Sequence, residues 1–412
     1  MRQRKRRIAS VLMSIMILTL SFTGCGKASP DMEFVQTDVG TITVPEGVQV
    51  VGLGEASHGV KEYQEMKEEV FRALVQNQGC RTFVIEGDFG SALKVDAYIH
   101  GGEGTAKEAA AWIGFQIYCT KEMENLLAWM RSYNEAAPQG EDLHFYGMDM
   151  QWADNGKDYL FRILEQAAPQ IRAEYEEKFA FLNDEDMFEI SREAFLQGMT
   201  DAEELIREVD GARELIEKVY DRETFEFARE CAYSLYACCD IRKDDNTYNK
   251  IRDSYMAEKV KWFIEHGDGS LIFINGHNGH IGKVNVTPLY DCLGKLLAKD
   301  LGDKYFAIGT DAYITTFNSQ TDDGFEEKKV KNKNDLNALA KDIEGKYYYV
   351  DFAMAGGKDG WKEVMAKEQR VTSLNVGAVT VLKAFYTTKL IPENTFDGMI
   401  VFEEVSPTTI DL

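Results

Sequence analysis

The chain has 412 residues, 44% of them hydrophobic, with 46 basic against 69 acidic side chains and a formal charge of −23. That is apolar material for a sizeable core of more than one layer. The acidic balance excludes a nucleic-acid partner, disfavours anionic lipid headgroups and weakly favours neutral or cationic small molecules.

In chain order, five basic residues between Arg2 and Arg7 precede an apolar run at 8–20, and Phe22-Thr23-Gly24-Cys25 follows. This reads as a signal peptide over 1–24. The Gly-Cys step resembles the lipobox of bacterial lipoproteins. It implies a lipidated Cys25, membrane attachment through that lipid, and an exported, extracytoplasmic domain. Loss of the leader's basic residues would bring the charge to roughly −28. Residues 25–40 read as a tether. Strands are expected at 48–53, 82–86 and 143–148, with an amphipathic helix at 61–78 and further helical segments ending at 122–134. Strands alternating with helices imply right-handed crossovers and a parallel sheet. From about 152 to 265 no strand signal occurs, and helices are expected at 201–219 and 223–241. Sheet signals return at 271–275, 305–310, 347–352, 378–383 and 398–402. The expected fold is α/β, a mostly parallel sheet flanked by helices, with a large all-helical insertion. Segments 41–150 and 268–412 form the α/β core, and 151–267 the insertion that covers or lines a cleft. Six cysteines remain beyond Cys25, with no CxxC pair, so no disulfide framework is indicated.

Two glycine-flanked segments hold most of the polar chemistry: Gly54-Glu55-Ala56-Ser57-His58-Gly59 and Gly276-His277-Asn278-Gly279-His280. Each directly follows a buried-strand pattern, and the carboxyl ends of parallel strands are where open α/β sheets bind ligands. His58 is the first candidate for a base, because a neutral imidazole accepts a proton near pH 7. Glu55 would orient that ring and stabilise its imidazolium, and Glu62 lies one helical turn beyond. Glu86 ends the next strand, expected beside the His58 strand, and would hold a water or a second imidazole. Asp149 ends the third strand in the same way. His277 and His280 would bind a metal, protonate a leaving group or stabilise an oxyanion. There is no G-x-S-x-G elbow, H-E-x-x-H, P-loop or complete dinucleotide fingerprint. A His/Glu set without an evident nucleophile favours water activated by a general base, which requires no cofactor. A divalent metal held by Glu55, His58, Glu86 and His277 is the alternative.

Gly54-Glu55-x-x-His58-Gly59-x-x-Glu62 resembles the leading motif of the erythromycin esterase family. Further segments are similar in order: Ile85-Glu86; Asp96-x-Tyr98-Ile99-x-Gly101; Thr120-x-Glu122 with Trp129-Met130-Arg131-x-Tyr133-Asn134; Gly147-x-Asp149; Arg252-Asp253-x-x-Met256-Ala257; and His277-Asn278-x-His280. The resemblance spans about 46–405. It implies hydrolysis of an ester or lactone of a small-molecule substrate. His58 would act as base, assisted by Glu55, Glu86, His277 and His280, with Glu62, Lys67, Glu122, Arg131, Asp149 and Arg252 as substrate-binding candidates. Where the family carries arginine nine residues after the leading histidine, this chain has Lys67, which keeps the charge but loses the bidentate fork. The wider superfamily's metal-dependent proteases keep the metal reading open. A binding lipoprotein without turnover is the remaining alternative.

Overall fold

The structure is a computed structural model that describes residues 30–321, 324–374 and 386–410. The leader, Cys25 and the strand expected at 378–383 lie outside the described residues. No helix among the described residues is long and apolar enough to cross a membrane.

One sheet organises the chain. Its strands are β1 (Val50–Glu55), β2 (Thr82–Asp88), β3 (His144–Asp149), β4 (Ile272–His277), β5 (Tyr305–Thr321), β6 (Gly324–Lys331), β7 (Tyr347–Asp351) and β10 (Gly398–Val405). They run in the order β3-β2-β4-β1-β5-β10-β7, and β6 hangs on β5. The first six in that order pair in parallel; β7 and β6 are antiparallel to their neighbours. Strands β8 (Gln369–Thr372) and β9 (Thr387–Leu390) form a separate ribbon. The parallel strands are buried on both faces, so they read as continuous apolar runs. Val50, Val84 and Ile272 face one core; Val51, Phe83 and Phe273 face the other.

The helix Lys61–Gln78 returns the chain from β1 to β2. Its apolar positions recur at helical spacing, and Gly79 (φ 68°) ends it in the left-handed conformation that glycine adopts freely. β1 and β2 are not neighbours. β4 lies between them, which corrects the expected adjacency of the His58 and Glu86 strands. β4 enters the sheet more than 120 residues after β3, and its place there follows from tertiary packing that strand patterns do not encode.

Between β3 and β4 the described chain is helical, with Asp154–Ala167, Pro169–Lys178, Arg192–Gly211, Arg213–Val219, Arg222–Arg242 and Tyr248–His266. The helix expected at 201–219 is two helices meeting at Ala212. The segment read as tether is partly docked. Gln36 exchanges backbone hydrogen bonds with Tyr349 on the edge strand β7 (2.9 and 2.7 Å), and Val39 is buried. Strands β6, β8 and β9 were not foreseen. β6 is Gly-Phe-Glu-Glu-Lys-Lys-Val-Lys and mostly exposed, so it has no apolar run to signal it.

The helical layer meets the core at Gly90 and Gly156. A Cβ on Gly90 would lie 2.3 Å from the Gly156 nitrogen, whereas a Cβ on Gly156 would meet only Gly90 Cα at 3.8 Å. Gly90→Ala is therefore expected to cost about 1–3 kcal/mol, and Gly156→Ala less than about 0.5 kcal/mol. Paired thermal unfolding of the two variants checks this asymmetry.

Candidate active site

Strands β2, β4 and β1 end side by side, and their last residues supply the site. Glu55 closes β1 and pairs in register with His277, which closes β4. Glu86, near the end of β2, reaches across β4: its Oε2 accepts a hydrogen bond from the His277 backbone N–H at 2.8 Å. Glycines permit these approaches. A Cβ on Gly276 would lie 2.9 Å from Glu86 Oε2, and one on Gly54 would lie 2.2 Å from Asn278 Oδ1.

Asn278 and Thr310 lock the strand ends. Asn278 Nδ2 donates to the Thr310 carbonyl (2.8 Å), and Thr310 Oγ1 donates to the Gly54 carbonyl (2.9 Å) while accepting from the Ala56 N–H (3.0 Å). The loop from Glu55 to Gly59 is thereby fixed, and His58 enters a cleft of about 790 Å³. Its Nδ1 lies 3.4 Å from Glu55 Oε2, and its ring centroid is 5.3 Å from that of His277.

Two buried cations hold the carboxylates ionised. Lys67 Nζ is 2.6 Å from Glu55 Oε1, and both side chains are 1% exposed. Burial alone would raise the Glu55 pKa; Lys67 and then His58 reverse this and bring it to about 2. Arg252 places Nη2 2.7 Å from both Glu86 Oε1 and Asp149 Oδ2, and its Nε donates to Asp149 at 3.1 Å. Glu86 is likewise opposed by burial, but the charges of His280, Arg252 and His58 hold it well below the usual carboxylate range.

The imidazoles differ in kind. His277 Nδ1 accepts the Gly279 backbone N–H at 3.1 Å, so its proton resides on Nε2. That Nε2 is buried and has no hydrogen-bond partner among the described residues. Burial and the nearby His58 charge lower the His277 pKa to about 3, so the ring stays neutral. His280 lies between Asp253 (Nδ1 to Oδ1, 2.7 Å) and Glu86 (Nε2 to Oε1, 3.4 Å). Burial disfavours its charge, but Glu86 and Asp253 outweigh this and raise its pKa.

Of the sequence candidates, the cleft is lined by His58, Glu86, Arg252, His277 and His280. Glu55, Lys67 and Asp149 sit behind them and act through ion pairs. Three others lie elsewhere. Glu62 accepts from the Ser406 N–H and hydroxyl, and Glu122 from the Thr408 hydroxyl, so both anchor the chain's end. Arg131 donates to the Tyr98 and Gly102 carbonyls and stacks on Tyr98. These placements correct the reading of Glu62, Glu122 and Arg131 as substrate contacts; their motif positions serve packing. Lys67 is correspondingly the partner of Glu55 and lies out of a substrate's reach.

Sequence reasoning missed Asp253 as the residue that orients His280, and Thr310 as the lock. Asp253 left a signal: with Arg252 it precedes Met256, Ala257 and Val260 on the buried face of one helix. Thr310 left none, because a threonine inside a strand is ordinary. The cleft wall of Phe115, Tyr118, Trp152 and Tyr290 comes from three separate loops.

A divalent metal fits this donor set poorly. Glu55 and Glu86 each already hold a buried cation, and ligand atoms of Glu55, His58, Glu86 and His277 do not cluster within 4.8 Å among the described residues. A further double charge would displace Lys67 or Arg252.

The family model described as erythromycin esterase matches residues 75–405. That span begins after the Glu55–His58 loop, so the reading of those two residues rests on geometry. Erythromycin esterase type II of Escherichia coli is 27% identical over 300 residues, 64% of this chain and 69% of that protein. A solved succinoglycan biosynthesis protein superposes with a TM-score of 0.76 at 21% identity, covering 89% of this chain and 90% of that one. A mutant erythromycin esterase in its open conformation gives 0.66 at 16% identity, covering 89% and 93%. At such identities the solved structures show the shared fold.

Removing Lys67 isolates a buried carboxylate. Lys67→Met is expected to cost about 3–5 kcal/mol at neutral pH. In the wild type, Glu55 titrates below its ordinary 4.5, so its contribution is full above that pH and fades toward pH 2. In the variant only His58 opposes burial, so Glu55 titrates higher than in the wild type and the deficit shrinks as pH falls. Denaturant unfolding between pH 7 and about pH 2 reads both effects.

Proposed function

The chain belongs to the erythromycin esterase family, and from that premise we propose that it is a carboxylic ester or lactone hydrolase in which His58 activates water. The observation that carries this reading is the fixed tautomer of His277: a neutral ring in the cleft wall whose buried Nε2–H has no partner among the described residues, 5.3 Å between centroids from His58.

Each residue has a part. With Nδ1–H turned to Glu55, His58 presents the Nε2 lone pair and takes a proton from water as the oxygen attacks the carbonyl carbon. Glu55 stays ionised and stabilises the resulting imidazolium. His277 Nε2–H donates to the oxyanion as it forms, a donor preorganised by the Gly279 N–H on its other nitrogen. Collapse of the tetrahedral intermediate breaks the ester C–O bond. The departing alkoxide takes the proton from His58, so water is added across the bond and the base is regenerated. Glu86 positions His277 through its backbone and His280 through its side chain, and Arg252 holds Glu86 in place.

The cleft volume and its aromatic wall suit a bulky substrate, in keeping with the erythromycin in the name of the Escherichia coli relative. The leader-like pattern of residues 1–25 supports a lipid-tethered domain outside the cytoplasm, where the enzyme would act on a substrate before entry.

Incubation with erythromycin should add the mass of one water to the macrolide. His58→Ala should lower kcat by about 10²–10⁴. His277→Ala should lower it by about 10²–10³ with little change in KM, and His277→Gln, which restores an N–H, should recover part of the loss. Unchanged erythromycin with wild type would remove this substrate. Full activity in His58→Ala would remove the mechanism.

A further inference from the structure

The opposite end of β3 carries a second cluster that hydrolysis does not use. Asp149 closes the strand at the cleft, whereas His144 opens it. Five residue steps along the strand separate them by about 17 Å. Beside His144 lie Asp96 and His100, from the last turn and the C-cap of the helix Phe89–Ile99. One ligand atom from each of Asp96, His100 and His144 lies within 4.8 Å of the other two.

We propose that Asp96, His100 and His144 form a divalent transition-metal site that staples this helix to the start of β3.

The carboxylate is oriented from behind, as metal ligands are. His100 Nδ1 lies 2.8 Å from the Asp96 carbonyl and 3.4 Å from Asp96 Oδ2, and His144 Nδ1 lies 3.6 Å from Asp96 Oδ1, so both rings face the carboxylate. Asp96 Oδ1 accepts the Phe145 N–H at 2.8 Å, and the Tyr146 hydroxyl lies 3.1 Å from His144 Nδ1. The imidazole rings are 5.0 Å apart between centroids. Tetrahedral ligands on bonds of about 2.0–2.1 Å stand about 3.4 Å from one another, so the side chains need only close by about an ångström. His100 and His144 are 31% and 35% exposed, and that freedom permits the closure. The cluster opens into a cavity of about 300 Å³, also lined by Tyr159 and Glu223, which leaves a position for water or the Glu223 carboxylate. Two imidazoles and a carboxylate suit Zn²⁺, Co²⁺ or Ni²⁺ rather than Mg²⁺ or Ca²⁺. Here, unlike at the cleft, the contacts of Asp96 among the described residues are with the two imidazoles themselves and not with a lysine or arginine.

The probe is Co²⁺, whose visible absorption reports its ligands, added to the full chain after chelator treatment. Wild type and His58→Ala should each bind one equivalent and unfold at a higher temperature, because the metal binds only the folded state. His100→Ala/His144→Ala should bind more than about tenfold more weakly and lose the thermal shift. Its metal-free unfolding temperature, compared with wild type, shows that it folds. Absence of Co²⁺ uptake by wild type, or uptake and stabilisation retained in the double variant, would overturn the proposal.

Discussion

The cleft depends on one electrostatic constraint: three buried carboxylates, Glu55, Glu86 and Asp149, set against two buried cations, Lys67 and Arg252. A lone ionised carboxylate in such surroundings would take up a proton and become neutral. Paired, Glu55 and Glu86 remain anionic, and the field of the set sorts the imidazoles. His58 faces an ionised Glu55. His280 lies between two carboxylates and is drawn toward its charged form. His277 meets Glu86 only through its backbone N–H, so burial governs the ring and keeps it neutral. Similar side chains thus acquire separate roles from their neighbours.

The helical insertion is part of this balance as well as a cover. Arg252 and Asp253 come from its last helix, Tyr248–His266, and they meet Asp149, Glu86 and His280 from the sheet. Phe188 and Asn249 bring the same insertion to the rim of the cleft. Mispacking of this layer would therefore disturb the ionisation of Glu86 as well as the shape of the wall.

Much of this was legible in the sequence because it is local. The apolar runs that become β1, β2, β3 and β4 are buried on both faces, and the polar residues that follow each run fall at the carboxyl ends, where the sheet topology collects them. His58, Glu86, His277 and His280 were found in this way. What the sequence hid is what depends on the partner across space. Lys67, read from its motif position as a substrate contact, shows its partner only in the fold, where it meets Glu55. Glu62, Glu122 and Arg131 carry the same residue types as the site, but they hold residues 406–408 and the turn after Tyr98. The interposition of β4 between β1 and β2 follows from a long-range pairing, and β6 is too charged to announce itself as a strand.

The sorting of the imidazoles is the central claim, and with six histidines in the chain it is open to direct observation. Ring ¹⁵N shifts of histidine-labelled protein, assigned with a His277 variant, report tautomer and charge across a pH titration. The account predicts that His277 remains neutral with its proton on Nε2 from pH 8 down to about 4, because its pKa lies near 3. A His277 that carries its proton on Nδ1, or that becomes imidazolium between pH 6 and 7, would contradict it.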